Sequence, residues 1–307
     1  MTEVLFDTNW EEHYIRRGDP TKPTYYIARR KYETTGLFAR YKFVLGHVRY
    51  ALSKGWIPVV DMQNYPNPYL APEKLGVENS WEYYFEQPLR IGLEEAYAGE
   101  NVVLSNGDCV KPYPDYSINL LEKKNDELVE WRMLIKMGFL TVKPELAEEI
   151  SAVREKLFSA NEQVLGVLLR GNDYSDKKIK GAPIPPPIEF AVNTVTAKFN
   201  EWECNKVLLL TKDNSVAEMF RNNFGDKCLS LDNLYANFYN SEDNDSVENN
   251  FSANNNEHFL KGKEYLTQIM ILSMCNSFIA DRYDDSLSVM LLTNKFLHKH
   301  FFNLGNY

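Results

Sequence analysis

"VLGVLLRGNDYSD", Val164 to Asp176, is the stretch from which the fold is read. Val164 to Leu169 is an apolar run broken only by Gly166, and it leads straight into Arg170, Gly171, Asn172 and Asp173. A short apolar run without alternation predicts a strand buried on both faces, as in a parallel sheet. Ligands of such sheets collect outside the carboxyl ends of the strands. Arg170 therefore stands where a fixed positive charge can meet a ligand, although an arginine at a strand end can also be merely solvated.

Downstream, the same pattern recurs. "IEFAVNTVTAKFNEW" predicts a helix, "KVLLLT" (Lys206 to Thr211) a strand, and "NSVAEMFRNNFG" a helix closed by Gly225. "CLSL" reads as a short strand, "EYLTQIMILSMC" as a helix, "SFIAD" as a strand and "SLSVMLLTN" as a helix. Two further strand tips carry polar groups: Thr211, Lys212, Asp213 and Asn214, then Asp281, Arg282, Tyr283, Asp284, Asp285 and Ser286. Ser286 and Ser288 fall at a predicted helix N-terminus, where N–H groups and the dipole favour an anion. Asp and Ser are also common caps, so each tip alone is weak. Three tips on one edge suit a pyrophosphate. Neither GxxxxGK[ST] nor GxGxxG occurs.

Upstream lies a similar series. "TYYIARRKY" predicts a strand, and Leu37, Phe38, Tyr41, Val44, Leu45, Val48 and Leu52 recur at helical steps. Thr34 or Thr35 can cap that helix and Gly55 can end it. "IPVVDM" and "NVVLS" are strands. The middle is helical, from "NDELVEWRMLIKMGFL" to a helix starting at Pro144. The expectation is an α/β protein of two Rossmann-like, doubly wound domains facing a cleft. They divide near residues 135–145 into 1–140 and 141–307. No repeat of 20–50 residues occurs. Around residues 236–257 the chain is Asn-, Ser- and acid-rich, which reads as a solvated loop.

The 307 residues are 44% hydrophobic and carry a net charge of −9. Acidity argues against a nucleic-acid binder, which needs a basic face. Cys109, Cys204, Cys228 and Cys275 contain no CxxC, and the five histidines show no metal spacing. Reduced thiols in a cytoplasmic protein are expected. The N-terminus lacks a signal-peptide pattern. No segment reaches the ~18 apolar residues of a membrane span, although peripheral membrane contact stays open.

"LGVLLRGNDY" resembles the HxRRxD-like motif of the α1,2-, α1,6- and protein O-fucosyltransferases, which are GT-B glycosyltransferases. "GAPIPPPIEFAVNTV" is similar to the Pro-rich link that follows it in bacterial members. "KVLLLTKDNSVAEMFRNNFGDK" and "GKEYLTQIMILSMCNSFIADRYDDSLSVMLL" resemble the second and third motifs. "TTGLFARYKFVLGHVRYALSKGWIPVVDM" resembles the N-terminal loop and helix, and "FFNLGNY" is similar to endings of bacterial surface-polysaccharide enzymes.

The resemblance implies a glycosyltransferase that moves fucose, or a related sugar, from a GDP-linked donor to a glycan acceptor with inversion. No metal or other cofactor is implied. Arg170 and Asp173 would be catalytic. Arg170, Asp213, Asp285, Ser286, Ser288, Gly36 and Arg40 would bind the donor, the serines through hydroxyl and backbone N–H. The first domain would serve the acceptor. The chain departs from the pattern at Asn172, at Arg40 and at Asp284 and Asp285, two acids that repel phosphate unless they point away. A non-catalytic relative that binds nucleotide sugar or glycan is the alternative. An unrelated Rossmann-like enzyme such as an epimerase ranks lower, because "YYIARRKYETTG" has no glycine-rich turn.

Overall fold

A computed structural model describes residues 13–30, 36–107, 113–114, 121, 126–170, 180–230 and 257–307. The chain forms two compact units, neither continuous in sequence. One comprises Met1–Pro114, Leu128–Ala147 and Asp245–Leu266; the other comprises Asp115–Glu127, Glu148–Asn244 and Thr267–Tyr307.

The first unit holds a four-stranded sheet of β1 (His13–Arg16), β2 (Thr24–Arg29), β3 (Ile57–Asp61) and β4 (Asn101–Leu104), in the order β1-β4-β2-β3. β2 pairs in parallel with β3 and β4, while β1 is antiparallel to β4. Helix α1 (Leu37–Ser53) connects β2 to β3, as its heptad-like spacing predicts. Its N-cap is Gly36, without a side-chain cap, and Thr34 and Thr35 lie outside the described residues. Beyond α1 the chain turns at Gly55, whose φ of 72° is the left-handed region glycine tolerates. Helix α2 (Leu93–Ala98) precedes β4. Helices α3 (Asp126–Lys136) and α4 (Pro144–Leu157) follow, the latter with proline in its first turn as read from sequence.

The second unit is a five-stranded sheet, every pairing parallel. Its strands are β5 (Val164–Leu168), β6 (Lys206–Leu210), β7 (Cys228–Ser230), β8 (Ser277–Ala280) and β9 (His298–Phe301). They lie in the order β7-β6-β5-β8-β9. Helices α5 (Ile188–Glu201) and α6 (Asn214–Phe224) follow β5 and β6, α7 (Glu257–Ser273) precedes β8, and α8 (Asp284–Leu292) follows it. β5 is wholly buried because it lies inside the sheet. Ala191, Val192, Val195 and Phe199 of α5, with Val216, Ala217, Phe220 and Phe224 of α6, form stripes that pack with Leu165, Val167, Val207 and Leu209. Gly166 lets the strand meet the end of α7: a Cβ there would lie 3.2 Å from Cys275 Sγ and Leu272 Cδ2.

β1 and β9 escaped the sequence reading. Both are edge strands with mostly exposed side chains, so neither carries the burial alternation that marks a strand. His298 and His300, two residues apart on β9, share a strand face, and His298 stacks on Trp202 at 5.1 Å between centroids. Among the described residues Cys204, Cys228 and Cys275 are in no disulfide; Cys109 lies outside them. Among the described residues no helix is long and apolar enough to cross a membrane.

Candidate functional site

The strand order places a topological switch point in the second unit. From β5 the chain moves outward to β6 and β7, then returns to the other side of β5 as β8 and β9. The crevice at such a point lies beyond the carboxyl ends of the two strands at which the order reverses, here β5 and β8. Arg170 follows β5, and Asp281 follows β8. Asp281 N–H donates to Leu168 O at 3.3 Å, so the two tips are paired to their ends.

Several contacts fix Arg170. Its backbone N–H donates to Asp281 Oδ2 at 3.0 Å. Its Nη2 donates to Asp285 Oδ2 at 3.0 Å, and its guanidinium lies 4.4 Å from the centroid of the Tyr283 ring. Tyr283 is anchored in turn, because its hydroxyl donates to Pro183 O at 3.0 Å. The Pro183 segment pairs with the chain's end: Pro183 bridges Asn306, and Ile184 N–H donates to Gly305 O at 3.0 Å. Arg282 Nη2 joins them by donating to Gly305 O at 3.0 Å and Asn306 Oδ1 at 2.6 Å. "GAPIPPP" and "FFNLGNY", distant in sequence, thus form one support for the aromatic face under Arg170.

Asp281 is the second notable group. It is buried, and its Oδ1 has no hydrogen-bond partner among the described residues. Loss of hydration pushes its carboxyl from 3.8 up to about 7. Arg170 opposes that rise, and the neighbouring charge of Asp285 adds to it. The sequence reading noted Asp281 at a strand tip but gave it no role.

The other expected residues divide by unit. Asp285, Ser286, Ser288 and Asp213 lie in the second unit with Arg170; Gly36 and Arg40 lie in the first. Ser286 and Ser288 are buried in the first turns of α8. Ser286 Oγ donates to Asp281 O at 2.5 Å and Ser288 Oγ to Asp284 O at 2.8 Å. Both hydroxyls thus donate to backbone carbonyls at the start of α8. Asp285 turns toward Arg170, whereas the sequence left its direction open. Asp213 caps α6: Oδ1 accepts from Ser215 N–H at 2.8 Å and Val216 N–H at 3.3 Å. An open depression of about 500 Å³ lies between the first turns of α5 and α6, lined by Ile188, Ser215, Glu218 and Met219 among others. Arg40 is buried inside α1, and burial lowers its guanidinium to about 10. Asp173 lies outside the described residues.

No protein-family profile matches the sequence. No curated protein matches it either. Solved structures do match in fold. The fucosyltransferase NodZ from Bradyrhizobium is similar with a TM-score of 0.53, 14% identity, and coverage of 89% of this chain and 94% of that one. NodZ α1,6-fucosyltransferase soaked with GDP-fucose is similar with a TM-score of 0.50, 16% identity, and coverage of 89% and 93%. The apo form of POFUT1 is similar with a TM-score of 0.51, 8% identity, and coverage of 93% and 99%. The fold of this α/β chain is thus similar to that of these fucosyltransferase structures.

Proposed function

We propose that the chain is a glycosyltransferase that takes a sugar from a nucleotide donor, GDP-fucose or a close GDP-sugar, and passes it to a glycan hydroxyl. The observation that carries this reading is Arg170 at the switch point of an all-parallel sheet, beside the first turn of α8. The fold likeness to fucosyltransferases, one of them soaked with GDP-fucose, supports the choice of donor. In this reading the unit built on β5 to β9 serves the donor and the unit built on β1 to β4 the acceptor, in place of the continuous segments 141–307 and 1–140 expected from sequence. The setting is the bacterial cytoplasm, where the product would feed a surface polysaccharide.

The acceptor oxygen attacks the anomeric carbon from the face opposite the diphosphate, which inverts the configuration. The carbon–oxygen bond to phosphate breaks, and its electron pair stays on the diphosphate. The protein's main task is then electrostatic. Negative charge grows on the departing oxygen, and Arg170 together with the dipole at the start of α8 stabilises it. Arg170 can also bind two phosphate oxygens through its planar fork. The reaction runs without a metal in this proposal, Arg170 supplying the positive charge.

A thermal-shift series with GDP, UDP, CMP and their sugars tests the donor, because ligand at 100 times its Kd adds about 2.7 kcal/mol of stability. GDP-linked ligands are expected to raise the Tm of the wild type and to lose that effect in Arg170→Ala. Turnover with the stabilising donor should fall by about 100-fold or more in Arg170→Ala and by less in Arg170→Lys, which keeps charge but not the fork. Near wild-type transfer by Arg170→Ala removes the clamp from the mechanism. Binding without transfer to any glycan in an acceptor screen favours the non-catalytic alternative.

A further inference from the structure

The anion that Arg170 holds in this structure belongs to the protein itself. Asp285 Oδ2 sits 3.0 Å from Nη2, and the two side chains are 20% and 21% exposed, so the pair is neither buried beyond exchange nor fully solvated. Asp284 precedes Asp285 in the same first turn. A diphosphate that engages Arg170 must share the guanidinium with Asp285 or displace it. The Tyr283 ring under the guanidinium, 4.4 Å away, and the Asp281 bond to the Arg170 backbone do not depend on Asp285. They hold the arginine in place while its carboxylate partner gives way.

We propose that Asp285 is a specificity-determining residue that competes with phosphate for Arg170 and makes the site reject a spent nucleoside diphosphate more strongly than an intact nucleotide sugar. The inference rests on the donor reading above and deepens it. Its chemical basis is the charge of the terminal phosphate. As a sugar ester, that phosphate carries one negative charge. Transfer breaks the bond from the anomeric carbon to the phosphate oxygen and leaves the electron pair on that oxygen. The acceptor oxygen bonds to the anomeric carbon, and its proton leaves to solvent. A free terminal phosphate has a second ionisation near ~6, so at neutral pH it carries close to two charges. Repulsion from a fixed carboxylate scales with that charge and nearly doubles once the sugar has gone. Asp285 thereby favours exit of the product over exit of the unreacted donor.

The test is isothermal titration of the wild type and Asp285→Asn with GDP and with GDP-fucose, at low salt and pH 7.5. Asparagine keeps an oxygen to accept the Nη2 hydrogen bond and removes only the charge. The expected result is tighter binding of both ligands by the variant. The gain should be on the order of tenfold for GDP and about threefold for GDP-fucose, as the charge ratio requires. Asp285→Ala should tighten GDP as well, since it also removes the charge. Equal gains for the two ligands, or weaker binding by Asp285→Asn, overturn the inference; the second result makes Asp285 a support for the clamp. Absence of binding of either ligand to the wild type overturns the donor reading itself. Circular dichroism and Tm measured in parallel confirm that each variant is folded.

Discussion

Asp281→Asn should change how stability responds to pH, and the sign follows from the burial of Asp281. Its carboxyl is displaced from 3.8 to about 7 because it is desolvated at the end of β8 with one oxygen unpaired. The folded state therefore binds a proton that the unfolded chain releases between about pH 4 and pH 7. Where the folded state binds more protons, stability falls as pH rises. The displacement is equivalent to about 4 kcal/mol of preference for the neutral form, and water entering beside the carboxylate lowers what is measured. Asparagine keeps an acceptor for Arg170 N–H and has no proton to lose. Urea unfolding followed by tryptophan fluorescence, at pH 5, 6, 7 and 8, compares the two proteins. The stability difference between variant and wild type should shift in the variant's favour by about 2–3 kcal/mol from pH 5 to pH 8, the earlier part of the change lying between pH 4 and pH 5. Glu264, whose carboxyl is also raised to about 7 by burial, titrates in the same window and cancels in the comparison. A difference that stays flat across this range, or widens toward acid, would refute the assignment of a buried, partly unpaired carboxyl.

Gly262→Ala should destabilise the protein by about 1–3 kcal/mol in thermal unfolding, although alanine ordinarily favours a helix by about 1 kcal/mol. The reason is steric: the new Cβ would collide with Cζ and Oη of buried Tyr84 and lie 2.9 Å from Tyr69 Cδ1. Asp213→Ala should cost about 1 kcal/mol in urea unfolding, because α6 loses the oxygen that accepts from Ser215 and Val216 N–H. Transfer should continue in excess EDTA; complete loss, restored by Mg²⁺ or Mn²⁺, would assign Asp284 and Asp285 as metal ligands in place of the arginine-based account.

The legible part of this protein was its local chemistry. The β5 run is apolar without alternation because the strand is covered on both faces, and the polar stop at Arg170 marks the tip where that cover ends. The stripes of α5 and α6 repeat at helical steps because each helix buries one side, whereas α1 is buried on nearly every face. Pro144 and Gly55 mark a helix start and the turn after a helix through backbone constraints that act within a few residues. These signals sufficed for an α/β chain with charged strand tips. Edge strands β1 and β9 carry no such signal, since half-exposed side chains leave no periodic trace. The bonds made by the Ser286 and Ser288 hydroxyls were out of reach for a related reason: a hydroxyl at a helix start can donate to several nearby acceptors, and the folded backbone decides which.

The meeting of Arg170 with Asp281 and Asp285 belongs to a different class of fact. More than a hundred residues separate Arg170 from either partner, and the distance closes because β8 pairs beside β5 with Leu168 opposite Ala280. That pairing depends on backbone hydrogen bonds between distant segments and on which strand fills the vacant side of β5, neither of which any local pattern encodes. The same long-range packing removes water from Asp281, sets Asp285 against the guanidinium and joins the Pro183 segment to Asn306 beneath Tyr283. Charge and residue type are properties of single positions, whereas the field at Arg170 is a sum over neighbours that only the folded backbone brings within a few ångströms.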